Sequence, residues 1–96
     1  MAQLESSLQK NIQKICRQHN VLSCKVDSST SRGFPDLTLI LPNGVVLFVE
    51  LKTLTGKTSP LQDRMIGKIK ENKGNVYVIR TEQGFTEMLA QYLTIK

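Results

Sequence analysis

Apolar and polar positions recur with two different periods along this chain. From residue 3 to 19, Leu4, Leu8, Ile12, Ile15 and Cys16 return at helical spacing and predict one apolar stripe, with Lys10, Lys14 and Arg17 mainly off it. Asn20 is the expected stop. Leu22, Cys24 and Val26 then alternate with polar residues, which predicts a short strand. The run Ser28-Ser29-Thr30-Ser31-Arg32-Gly33 is polar and reads as a loop. Phe34 to Lys52, FPDLTLILPNGVVLFVELK, is mostly apolar and reads as a β-hairpin. Thr53 to Thr58 is a second loop. Ser59-Pro60-Leu61-Gln62 opens a helix running to about Asn72, with Ser59 at the N-cap, Pro60 at the first helical position and Gln62 at the reciprocal capping position. Its expected core face is Leu61, Met65, Ile66 and Ile69, and Lys73-Gly74 ends it. Asn75 to Ile79 (NVYVI) is a buried-type strand, and Gln83 to Leu93 a last helix with Phe85, Met88, Leu89 and Tyr92 inward. The order is α-β-β-β-α-β-α. That predicts an α/β fold with a mixed four-stranded sheet flanked by helices, closed by a right-handed crossover from the third strand to the fourth.

The turn residues of the hairpin set its register. Leu41-Pro42-Asn43-Gly44 suits a three-residue connection, with proline at the first corner of a type I turn, asparagine at the second and glycine at the left-handed position after it. Leu41 then pairs with Val45, and Asp36 falls opposite Glu50. One face becomes wholly aliphatic: Leu37, Leu39, Leu41, Val45, Leu47, Val49 and Leu51. The other carries Asp36, Thr38, Ile40, Val46, Phe48, Glu50 and Lys52, with every charge at one end. A two-residue Asn43-Gly44 turn would slip the pairing by one and put the two acids on opposite faces.

Composition narrows the partners. The 96 residues suffice for one domain, 1–96, with one modest core. Thirteen basic residues against eight acidic give a net charge of +5, which favours a polyanion: nucleic acid first, an acidic membrane second. No apolar run approaches the roughly 20 residues needed to span a bilayer, and MAQLESSLQK lacks a signal-peptide core. The expected setting is intracellular, in the cytoplasm of a bacterial or phage-infected host cell. Cys16 and Cys24 lack a CxxC spacing, which disfavours zinc or a disulfide. His19 stands alone, so no His-based triad or metal cluster is expected. Glu5 reads most simply as a first-turn acid that favours the helix dipole.

Two carboxylates directly opposite on a hairpin lie about 5 Å apart and repel. A cation or a shared proton between them relieves that repulsion, and a hard divalent ion such as Mg²⁺ suits paired carboxylates. Lys52 points to the same face as Glu50, where a lysine can position a metal-bound water or stabilise charge developing on a phosphoryl group. In a basic protein this set points to phosphodiester hydrolysis. The plainer reading is a salt-bridged cluster in which Lys52 balances the acids.

Pro35-Asp36, thirteen residues, then Glu50-Leu51-Lys52 resembles the PD-(D/E)XK nuclease motif. With Glu5 in the first helix, Gly33-Phe34-Pro35-Asp36, Glu50-Leu51-Lys52-Thr53 and Ser59-Pro60-Leu61-Gln62, the chain resembles the virus-type replication-repair nuclease (VRR-NUC) domain from Glu5 to about Ile79. The resemblance implies a restriction-endonuclease-like core and Mg²⁺ or Mn²⁺ as cofactor. It implies Asp36, Glu50 and the carbonyl of Leu51 as metal ligands, with Glu5 reaching the metal directly or through water. It implies Lys52 as the catalytic lysine and Gln62 as a residue lining the site. That last role competes with the capping box, since one side chain cannot easily cap its own helix and contact a scissile phosphate; the site role is preferred.

If Glu5, Asp36 and Glu50 serve the metal, five of the eight acidic residues are left against thirteen basic ones, so the remaining surface is more basic than the net charge suggests. Arg32, Lys57, Arg64 and Lys68 are the candidate phosphate contacts. The hydroxyls and Arg32 of the Ser28–Gly33 loop could reach phosphates at the rim, or the loop is simply solvated. Nothing resembles a base-reading module, so DNA shape is the expected target. The small members that this chain resembles are homodimers acting on branched DNA such as four-way junctions, and a homodimer is the expectation here. The competing reading is a nucleic-acid-binding domain that kept the fold without the chemistry.

Overall fold

A computed structural model describes residues 5–27 and 32–94. The expected Leu4 and most of the Ser28–Gly33 loop lie outside the described residues. The elements follow the expected order: α1 (Glu5–Gln18), β1 (Leu22–Lys25), β2 (Leu37–Ile40), β3 (Val46–Leu51), α2 (Pro60–Glu71), β4 (Asn75–Ile79) and α3 (Glu82–Ala90). Asn20 ends the first helix in the left-handed conformation, φ 58°, which a short polar side chain tolerates better than most.

The four strands form one sheet in the order β1-β2-β3-β4. β1 and β3 run antiparallel to β2, while β4 joins β3 in parallel through α2. The hairpin has the three-residue connection. Leu41 N–H donates to the Val45 carbonyl at 2.9 Å, and Gly44, at φ 87°, turns its N–H back to Leu41 at 2.8 Å. The Asn43 side chain accepts from Val45 N at 3.1 Å. Ile40 therefore pairs with Val46 and Leu37 with Val49, the predicted register.

The all-aliphatic face is the core. Leu37, Leu39, Leu47, Val49 and Leu51 are completely buried under Leu8 and Ile12 of α1 and Phe85 and Leu89 of α3. The opposite face is only partly covered, because α2 packs against β4 at the sheet edge. β1 forms as expected, with Leu22 and Cys24 pointing to the open face and Leu22 58% exposed. One sequence reading is corrected by the placement of α2. In α2 only Ile69 is buried; Met65 and Ile66 are half-buried and Leu61 is exposed. A cleft of about 440 Å³, lined by Phe34, Phe48, Met65 and Ile69 among others, lies on this side. Periodicity identifies an apolar face but not how much of it a neighbour covers. No described helix is long and apolar enough to cross a membrane.

Candidate active site

Asp36 directly precedes β2 and Glu50 lies in β3, the two central strands. Leu37 and Val49 are register partners, so Asp36 and Glu50 are the next opposed pair, on the partly covered face. Here the ladder changes partner: Leu51 N–H donates at 2.8 Å to Asp36 Oδ2, a side-chain oxygen. That bond aims the carboxylate back across the sheet. The approach to Asp36 is anchored by buried Pro35 and by Phe34, whose ring meets Phe48 edge to face at 5.5 Å.

Glu50 is the most constrained polar side chain, at 2% exposure the one buried charged residue among those described. Gln62 Nε2 donates to its Oε2 at 2.8 Å, and Lys52 Nζ lies 3.7 Å from the same oxygen. The other oxygen, Oε1, is buried without a hydrogen-bond partner among the described residues. A buried, unmatched carboxylate oxygen is costly, and the carboxyl responds by holding its proton. Burial first, then repulsion from Asp36, raises its pKa to about 7, against the smaller opposing effect of Lys52; the protonated carboxyl also gains a side-chain hydrogen bond with Asp36. An oxygen with no N–H donor among the described residues, beside a second carboxylate, fits a divalent cation, which would use both acids.

Gln62 resolves the choice posed by the sequence, because an amide has two ends. Its Oε1 accepts from Ser59 N at 2.9 Å, while its own backbone N–H donates to Ser59 Oγ at 3.2 Å, completing the capping box. Its Nε2 remains free to donate to Glu50. Capping thus fixes the orientation of the amide and leaves its donor end toward the acid.

Glu5 stands farther off. Its carboxylate raises the Glu50 pKa only as the smallest contribution, and no three Asp, Glu, His or Cys side chains close into a metal-sized group among the described residues. Arg32, Lys57, Arg64 and Lys68 are all exposed, the first two in loops and the last two on α2. Arg80 is a contact that sequence reasoning passed over. Its guanidinium reaches the carbonyls of Thr53 and Gly56, more than twenty residues away, and no local pattern marks it.

Gly33 joins the Asp36 approach to α2. At φ 80°, a Cβ there would lie 2.5 Å from the Leu61 carbonyl oxygen. Gly33→Ala is therefore expected to cost roughly 1–3 kcal/mol of stability, because strained backbone and a backbone clash coincide. Urea unfolding of the two proteins measures it.

An opposed Asp and Glu with a lysine two residues on, set at one end of a mixed α/β sheet, define a nuclease-type domain of the PD-(D/E)XK pattern. The chain belongs to the VRR-NUC domain family, whose model matches residues 2–83. A solved VRR-NUC domain superposes with a TM-score of 0.83 at 29% identity, covering 93% of this chain and 97% of that one. A relative named "Putative nuclease p44", from Acyrthosiphon pisum secondary endosymbiont phage 1, is 37% identical over 60 residues. The match spans 62% of this chain and 64% of the relative's length.

Proposed function

We propose that the protein is a divalent-metal-dependent DNA endonuclease, selective for branched DNA such as four-way junctions and working as a homodimer in replication, recombination or repair. The observation that carries the reading is the division of labour at Glu50. One oxygen is engaged by Gln62 and approached by Lys52, and the other is buried beside Asp36 with no N–H donor among the described residues.

Asp36 and Glu50 would hold Mg²⁺ or Mn²⁺, with the Leu51 carbonyl as a further ligand and Glu5 reaching the ion through water. The bound ion supplies Lewis-acid polarisation of the phosphodiester and a more acidic water. Lys52 presents an ammonium beside the pair, suited to steering a nucleophilic water and to stabilising negative charge on the phosphoryl oxygens. Gln62, locked by its capping bonds, keeps Glu50 in one rotamer and lines the same site. Arg32, Lys57, Arg64 and Lys68 grip phosphates on either side. Leu22, Ile40 and Val46 form an exposed apolar row across three strands, a surface that a second copy can cover.

The test is a cleavage assay with Mg²⁺ or Mn²⁺ on linear, nicked, flapped and four-way-junction DNA, with light scattering at micromolar protein. Junction cleavage by a dimer is the expected result. Binding without cleavage under every condition would favour a domain that binds nucleic acid without cutting it, and a monomer mass would reject the dimer. In binding titrations, replacing Lys57, Arg64 or Lys68 by alanine should each reduce the slope of log affinity against log salt by about one. An unchanged slope removes that residue from the phosphate contacts.

A further inference from the structure

The chain leaves β3 at Lys52, whose N–H makes the last bond of the parallel ladder, to the Ile79 carbonyl at 3.0 Å. One residue on, the strands part. The β3 side runs into the turn Thr53–Gly56, and the β4 side presents Arg80. Arg80 Nη1 donates to the Thr53 carbonyl at 2.7 Å and also to the Gly56 carbonyl. The turn is closed from within by Gly56 N–H, which donates to Thr53 Oγ1 at 3.0 Å and to the Thr53 carbonyl at 3.3 Å. It lies along the stem of Lys52: a methyl group added at Gly56 would sit 3.7 Å from Lys52 Cδ. The same loop continues to Ser59, whose N–H holds the Gln62 amide. Its two ends therefore carry the two side chains that meet Glu50 Oε2.

Taking the nuclease reading as its basis, we infer that Arg80 is a positioning residue for the cleavage reaction, clamping the Thr53–Gly56 turn and so holding Lys52 and Gln62 against Glu50. A cation donating to two carbonyls makes charge-assisted bonds, stronger than neutral ones. Both engage one nitrogen, so the clamp joins the two ends of the turn at a single point. Without it the part-buried Gly56 carbonyl loses the Arg80 donor, the Thr53 carbonyl keeps only the longer bond from Gly56 N–H at 3.3 Å, and the turn no longer confines the lysine stem. Displacement of a catalytic group by about 1 Å can cost on the order of 100-fold in rate.

The test compares wild type, Arg80→Ala, Arg80→Lys and Thr53→Ala in single-turnover cleavage, DNA binding and amide hydrogen exchange. Arg80→Ala is expected to slow the cleavage step by roughly 10- to 100-fold, to change the DNA dissociation constant by less than about threefold, and to speed exchange at Gly56. Arg80→Lys should recover part of the rate, because one ammonium can donate to both carbonyls although its shorter stem reaches less far. Thr53→Ala loosens the turn from inside and should slow cleavage more mildly. A loss confined to DNA affinity would make Arg80 a phosphate contact and overturn the inference. So would an unchanged rate despite lost protection at Gly56. If Arg80→Ala does not fold, wild-type rates in both Arg80→Lys and Thr53→Ala reject the clamp. If the wild type cleaves nothing, the nuclease reading fails with it; unchanged exchange at Gly56 in Arg80→Ala, with wild-type cleavage intact, rejects the clamp alone.

Discussion

Replacing Lys52 by alanine is expected to slow DNA cleavage by roughly two to three orders of magnitude, the loss typical of removing one preorganised donor to developing charge. The fold should survive, because the lysine directly follows β3 and its backbone bond to Ile79 is unaffected. Two effects combine. The ammonium is lost from the reacting centre, and Glu50 loses the one nearby cation that lowers its pKa. The residual activity of Lys52→Ala should therefore rise with pH along a profile displaced to higher pH than that of the wild type. Lys52→Arg keeps the charge but not the compact ammonium, so it should restore the midpoint of the profile more fully than the rate. Single-turnover rates from pH 5.5 to 9 separate the two effects. A Lys52→Ala rate within threefold of wild type would remove the residue from the chemistry.

Glu50→Gln should abolish metal-dependent cleavage and, at neutral pH without metal, leave the protein as stable as wild type or more so. The Glu50 carboxyl has a folded-state pKa of about 7, against an ordinary value of 4.5. The folded protein thus holds the proton more tightly than the unfolded chain does. Its contribution to stability is fully present below about pH 4.5 and is lost as the pH rises through 7. At 1.4 kcal/mol per pH unit, the loss amounts to about 3 kcal/mol across that window. Metal-free wild type should therefore unfold more easily at pH 8 than at pH 5, and Glu50→Gln should flatten the dependence, since its neutral amide never ionises. Millimolar Mg²⁺ should restore the wild type at pH 8, because an ion that binds only the folded state adds about 2.7 kcal/mol at one hundred times its dissociation constant. It should leave Glu50→Gln nearly unchanged. Thermal unfolding at the two pH values, with Mg²⁺ or a chelator, reads all four cases. Equal metal stabilisation of both proteins would contradict Glu50 as a ligand.

These expectations compete, which is informative about the site. The arrangement that suits a cation is unfavourable without one: two acids face each other, and one oxygen is buried unmatched. Strain of this kind is common where function needs a poised group. Gln62 shows the same economy, capping its helix with one end of its amide and holding Glu50 with the other.

Much of this was readable from local patterns. The turn Leu41-Pro42-Asn43-Gly44 determines which residues face each other, because backbone twist and the left-handed position at Gly44 are local matters. From it follow the aliphatic core face and the opposition of Asp36 and Glu50. The capping box at Ser59 and Gln62 is equally local. Tertiary structure alone decided what depends on distant partners. It sets α2 over β4, so Leu22 and Leu61 are exposed although their periodicity marks them as apolar faces. It buries Glu50 with one oxygen unmatched, and it keeps Glu5 outside the close pair. It also brings Arg80 to the turn after Lys52 and Gly33 to the carbonyl of Leu61. Each is a packing contact between segments far apart in the chain, where no spacing rule reaches. The hairpin's own register was written in the chain; the environment that gives its charges their chemistry was supplied by what packs around it.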